Sequence, residues 1–374
     1  MGAQAKRLWS IELIRAFAAI LVLAQHVKYV ATTKLDIAYL PGTAGFVVPG
    51  VDLFFVLSGA MMVKTVERTF GNPGNIPAFA AGRASRLLPI LWLFISLKVI
   101  AILLFPNLSY EGRLDPIVVA ASYLLLPLPW PSVYPIIGVA WTLSHELLFY
   151  TFLVVGIARG SRAFWVGMSV WSVVAIVCNY CLPGLPLGNS HYLLRFILNE
   201  RNIEFLLGGL VFKTTQAFVS RRRLDSRLAA SMLILVGLIW FSVAAAIEQQ
   251  VGSGNVPLLM FYGLPSALLV LAGFQLDKPP PEAGPIGWAV RIARLVGRSS
   301  YSIFATQFLA LDAIAPLLQV FKREFRVWVD PTVLVMALFV GAVCVGVLVH
   351  VLIEQHLNNA VRQRLLKLVN AGSA

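Results

Sequence analysis

Leu334 to Ile353, LVMALFVGAVCVGVLVHVLI, is an unbroken run of twenty mostly apolar residues. A bilayer's hydrocarbon core is roughly 30 Å thick and needs about 20 such residues per helical span, so this run has the length of one crossing. Similar stretches recur from Ile11 to Glu354. They fall at about 11–30, 48–66, 87–105, 138–158, 164–182, 197–215, 229–247, 256–274, 299–320 and 332–354, which predicts an all-α polytopic membrane protein with about ten transmembrane helices. A membrane barrel would show short strands of alternating character, and the long apolar runs exclude it. Composition agrees. Hydrophobic residues make up 59% of the 374 and charged residues only 13%, about half the share in a soluble domain.

The net charge of +13 would suggest nucleic acid in a soluble protein; here membrane topology accounts for it and no nucleic acid is expected. With the N-terminus cytoplasmic, ten spans place 20 Lys and Arg residues in inside segments, among them Lys6, Arg7, Arg159, Arg162, Arg221, Arg222, Arg223 and Lys278. Outside segments hold 8, and Arg15 and Lys98 lie within spans. The bias sets both termini on the cytoplasmic side. The first apolar stretch lacks a small-residue cleavage site and carries Arg15 and His26, so it reads as a retained span rather than a signal peptide.

Pro106 to Ile137, with Pro127, Pro129 and Pro131, is too kinked for a further span, and Lys278 to Gly287, with Pro279, Pro280, Pro281 and Pro285, reads as an extended inside connection. No repeat or soluble module stands out, so residues 1–374 form a single membrane domain. Cys178, Cys181 and Cys344 lie in apolar segments and read as small buried hydrophobes; no metal is expected.

Ionisable groups inside a bilayer are costly, and each is a functional candidate. The first helix has Glu12, Arg15 and His26. Eleven residue steps at 100° bring Arg15 and His26 to within about 20° of one face, roughly 16 Å apart along the axis. Glu12, three residues before Arg15, is spaced to pair with it. In the fourth span Glu146 follows Trp141, Thr142, Leu143, Ser144 and His145 at a depth comparable to that of His26. A carboxylate beside an imidazole orients it and stabilises its protonated form, as a general base acting on a hydroxyl requires. The blander alternative is a snorkelling Glu12–Arg15 pair and interfacial placements for His26 and Glu146.

With these residues in view the chain resembles the membrane-bound acyltransferase family 3, in its ExoZ-like exopolysaccharide O-acetyltransferase branch. Arg15 and His26 match the family's Arg-x10-His signature, with Glu12 where Asp is more usual. GVDLFFVLSG, Gly50 to Gly59, resembles the second-helix motif. Arg83 and Arg86 match Arg-x-x-Arg, and Trp141, Leu143 and Glu146 match Trp-x-Leu-x-x-Glu. GRSSYSIFATQF, Gly297 to Phe308, resembles the ninth-helix Ser-Tyr-Ser motif, and Glu354 the acid closing the last span. The chain departs from the pattern at Gln307, where His is common, and at His356, where Pro often stands.

The resemblance implies an enzyme of the bacterial inner membrane. It would move an acetyl group from cytoplasmic acetyl-CoA to a polysaccharide or its lipid-linked precursor, alone or beside polysaccharide assembly machinery. Arg83 and Arg86, three apart on one helix face, are placed to hold CoA phosphates by charge-assisted bonds. Arg15 meets the donor deeper, and Tyr301 lines its tunnel or sits in the core. His26 serves as general base or as a transient acyl carrier. Asp52 is a candidate for acceptor binding, for support of His26 or for an interfacial structural role, Trp141 for acceptor binding, and Ser58 and Gly59 for close helix packing. Two other classes fit buried charges: a secondary transporter, which would often carry repeats, and a non-catalytic scaffold.

Overall fold

The computed structural model describes residues 9–37, 50–105, 114–129, 132–182, 191–219, 226–252, 256–276, 284–324 and 330–371. Lys6, Arg7, Arg113, Pro131, Arg221, Arg222, Arg223, Lys278, Pro279, Pro280, Pro281 and Arg326 lie outside them. The described chain is helical and contains no strand. In order the helices are α1 (Trp9–Lys34), α2 (Gly50–Val66), α3 (Ile76–Leu104), α4 (Pro116–Leu124), α5 (Trp141–Arg159), α6 (Ser161–Ile176) and α7 (Tyr192–Ile197). They continue as α8 (Ile203–Val219), α9 (Ser226–Val251), α10 (Leu264–Gln275), α11 (Gly284–Arg298), α12 (Ser300–Glu324), α13 (Pro331–Val349) and α14 (Gln355–Ala371).

Helices stand at all ten expected positions. Seven of them are long and apolar enough to cross a membrane, while α2, α8 and the Leu259–Gln275 segment containing α10 are shorter. Three boundaries differ from the sequence reading. Helix α3 starts at Ile76, about ten residues ahead of the apolar run, so Arg83 and Arg86 lie within it rather than before it. Helix α11 takes in Pro285 and Gly287, which the sequence had assigned to an extended connection. Helix α14 follows α13 through a π-helical turn, His350–Glu354, and packs along α3.

Local chemistry sets several ends. Asp115 and Asp330 each precede a Pro and accept a hydrogen bond from the backbone N–H two residues on, capping α4 and α13 at 2.7 Å. The bond from Thr332 holds the Asp330 carboxyl below its ordinary range. Gly160, at φ +97°, takes a conformation that Cβ-bearing residues avoid and separates α5 from α6.

The chain forms two compact units. The first comprises Met1–Gln25, Tyr39–Thr65 and Glu200–Ser300; the second comprises His26–Ala38, Val66–Asn199 and Tyr301–Ala374. In the first, Leu53, Val56, Ala60 and Val63 of α2 are fully buried, and α8 crosses α2 with backbones nearly touching. A Cβ on Gly208 would lie 1.9 Å from the Val56 carbonyl oxygen, and one on Gly59 would lie 2.2 Å from that of Phe205. Gly59 is therefore a packing residue, as the sequence suggested: helices in lipid gain by van der Waals contact, which small residues permit. Gly208→Leu should force the pair apart, at about 1–3 kcal/mol or more; a lower detergent melting temperature checks it, and an unchanged one counts against the contact.

In the second unit Ile90, Ile95, Leu153, Ile157, Met168, Leu311 and Leu338 form the core. Apolar side chains also cover exposed helix faces, for example Val333, Met336 and Val340 of α13. Cys181 and Cys344 share that exposure, which corrects their reading as buried; their thiols are free. Lys98, buried within α3, meets Asp312 of α12 at 2.5 Å, and Lys34 meets the same carboxylate at 2.6 Å, so the intramembrane lysine shares a counter-ion that lies 214 positions away.

Candidate active site

In the first unit the carboxylate of Glu12 is held from α11. Arg294 Nε donates to it at 2.7 Å and Arg298 Nε at 2.9 Å. The approach is close because residue 297 is glycine: a Cβ there would lie 1.9 Å from the Glu12 carbonyl oxygen. Spacing had paired Glu12 with Arg15. The two arginines holding it are instead 282 and 286 residues away, while Arg15 donates through Nε and Nη2 to Ser300 Oγ at 3.2 and 2.9 Å. Asp52, a candidate acceptor contact, is buried and receives Arg201 Nε at 3.1 Å. Nearby Glu204 is fully buried and Tyr262 donates to Glu248, an acidic group that the sequence reading did not isolate.

In the second unit His26 sits half-buried on α1. Its Nδ1 lies 3.1 Å from Gln307 Oε1 of α12, and the next α12 residue, Phe308, packs at 4.6 Å from the imidazole with its ring plane turned by 62°. Gln307 is buried, and its Nε2 donates to the Phe304 carbonyl at 3.1 Å. The sequence reading had looked to Glu146 to orient His26; the acceptor on Nδ1 is an uncharged amide.

Glu146 joins a different group. It accepts a hydrogen bond from Tyr150 Oη at 2.6 Å, one turn along α5, and both lie within electrostatic reach of Arg83, with Arg86 beside them. Both arginines of the Arg-x-x-Arg motif and the Glu146 that closes Trp-x-Leu-x-x-Glu thus share one polar cluster between α3 and α5. Arg86 is half-exposed, and among the described residues its guanidinium makes no hydrogen bond. Its carbonyl accepts one from Asn358 Nδ2 of α14 at 3.4 Å. Tyr301 is buried, and its hydroxyl donates at 2.6 Å to the carbonyl of Leu87, the residue after Arg86. Ser302 donates to Glu354 at 2.6 Å, and His350 Nδ1 meets the same Glu354 oxygen at 2.6 Å. Trp141 lies edge-on to His145, which in turn stacks near Phe196.

Tyr150 and His350 escaped the sequence reading, whereas Ser302 lies in the Ser-Tyr-Ser motif it had singled out. The signal for both was present in the four-residue spacings Glu146 to Tyr150 and His350 to Glu354, which stack side chains on one helix face.

Ionisable groups inside apolar helices are costly, and each unit thus carries a candidate functional cluster. The chain belongs to the membrane-bound acyltransferase-3 family: the profile described as an acyltransferase domain matches residues 8–351. It is an acyltransferase. The chain is 24% identical over 333 residues to the exopolysaccharide production protein ExoZ of Rhizobium meliloti (strain 1021), covering 87% of this chain and 94% of that protein. It is 25% identical over 345 residues to YrhL of Bacillus subtilis (strain 168), provisionally named a peptidoglycan O-acetyltransferase; the match covers 83% of this chain and 50% of YrhL. No solved structure matches the chain.

Proposed function

We propose that this protein is an O-acyltransferase of the bacterial inner membrane. It takes an acyl group, acetyl by preference, from cytoplasmic acyl-CoA and delivers it to a hydroxyl of an exopolysaccharide, another surface glycan or a lipid-linked precursor. The observation that carries the reading is the Arg83, Arg86, Glu146 and Tyr150 cluster. Arg83 is balanced internally by the Glu146 carboxylate and hydrogen-bonded to Tyr150, which leaves the Arg86 guanidinium for an anion. A CoA phosphate is such an anion, and arginine's planar fork suits it. The excess of Lys and Arg in the expected inside segments supports a cytoplasmic donor and ten spans with both ends inside.

In this reading the acceptor oxygen attacks the thioester carbonyl, forming the ester C–O bond as the C–S bond breaks. His26 takes the hydroxyl proton and returns it to the CoA thiolate, so ester and free thiol are the products. Tyr301, tied to the Leu87 carbonyl, steadies the helix segment that carries Arg86. Glu12, held by two arginines, anchors α1 and takes no part in proton transfer. Trp141 is the acceptor-side candidate on α5. Asp52 is occupied by Arg201 and is the weaker of the two.

The names of the two relatives support a glycan acceptor. The deciding experiment compares the host's surface glycans by mass spectrometry with and without the gene, alongside label transfer from radiolabelled acetyl-CoA in its membranes. Loss of an acyl mass increment and of label is expected. Unchanged glycans together with unchanged label transfer would refute the enzyme reading and leave the scaffold.

A further inference from the structure

Gln307 stands where the chain departs from the pattern it resembles, and its two amide ends are distinguishable by their neighbours. The Phe304 carbonyl can only accept, so the amide end facing it at 3.1 Å is the NH2 group. Turning the amide over would set two carbonyl oxygens against each other. The end facing His26 Nδ1 at 3.1 Å is therefore the amide oxygen, which also can only accept. A neutral imidazole carries one N–H, and an acceptor opposite Nδ1 requires that it be there, leaving the ring's lone pair on Nε2. Burial of Gln307 keeps water from replacing it, and Phe308 against the ring opposes rotation.

We propose that Gln307 is a positioning residue that fixes the Nδ1–H tautomer of His26, so that Nε2 is the atom that takes the acceptor's proton. This rests on the reading of His26 as the base. The acceptor side chain is neutral, which separates this arrangement from a carboxylate–histidine pair. A carboxylate would hold the imidazolium strongly; an amide sets direction and tautomer while adding little to the charge balance.

The test uses the full chain in host membranes and measures label transfer from radiolabelled acetyl-CoA to the glycan fraction across pH. Gln307→Leu should lower kcat by about 10- to 100-fold with the acetyl-CoA KM within about twofold, because the base is mis-set while donor binding is untouched. Gln307→Glu keeps an acceptor but adds charge, so activity should persist while the acid limb of the pH profile moves upward by about one pH unit or more. Gln307→His, which can also present a lone pair to Nδ1, should stay within a few-fold of the parent.

Should Gln307→Leu fail to fold in detergent, the Gln307→Glu profile decides. Parent-like kcat in Gln307→Leu, or an unmoved acid limb in Gln307→Glu, overturns the proposal. His26→Ala separates the two layers. If it retains transfer, the base reading falls and this inference with it. If it is inactive while the Gln307 variants match the parent, only the inference falls.

Discussion

His26→Ala is expected to cut label transfer from acetyl-CoA by about 10²- to 10⁴-fold, a rise of about 3–5 kcal/mol in the barrier. The loss should fall on kcat, because the imidazole moves a proton in the transition state and does not hold the donor's phosphates. Folding should survive: His26 is half-buried and Gln307 keeps its own bond to Phe304. A His26→Ala protein with intact melting temperature and intact transfer would remove the imidazole from the chemistry.

The Arg83→Ala, Arg86→Ala double variant should raise the acetyl-CoA KM by about 10- to 100-fold, through loss of the Arg86 guanidinium that is left for the donor's phosphates. Each hydrogen bond to a charged group contributes about 1.5–3 kcal/mol, and 1.4 kcal/mol is tenfold in affinity. The two arginines differ, and single variants should show it. Arg86 makes no side-chain hydrogen bond among the described residues, so Arg86→Ala should act on the donor alone. Arg83 is bonded to Tyr150 and feels the Glu146 carboxylate, so Arg83→Ala should lower the melting temperature and change the donor's KM little. A truncated donor, an acetyl thioester of a pantetheine arm without phosphates, isolates the contact. The parent and the double variant should use it equally; a persisting gap between them would place the arginines' role elsewhere than on the phosphates.

Much of the fold was legible because lipid imposes a simple rule: apolar residues in sufficient number make a span, and helices occur at each expected position. The same rule hid what is not apolar. The first turns of α3, with Arg83 and Arg86, and the whole of α14 are helical but polar enough to fall outside a hydropathy reading. The cysteines were misjudged for a related reason. Burial habits come from proteins in water, whereas in lipid an exposed face is the natural place for an apolar side chain.

At the site, residue types were legible and partners were not. The cost of a charge in hydrocarbon singled out Glu12, Arg15, His26 and Glu146. Spacing along one helix then suggested Glu12 with Arg15, yet Arg294 and Arg298 hold it, because periodicity reports a face and never which distant helix lies across from it. Gln307 gave no electrostatic signal, being neutral. Its only mark in the sequence was standing where another residue is usual.

The strut that α14 lends to α3 bears on how the protein can be shortened. A chain cut after Glu354 would keep every apolar run, and by hydropathy it would look whole. It would nonetheless lack Asn358, whose amide reaches the Arg86 carbonyl, and the helix lying along α3. The tail beyond the final crossing is thus part of the guanidinium platform's scaffolding, and trimming it for expression would loosen the floor on which the donor is proposed to rest.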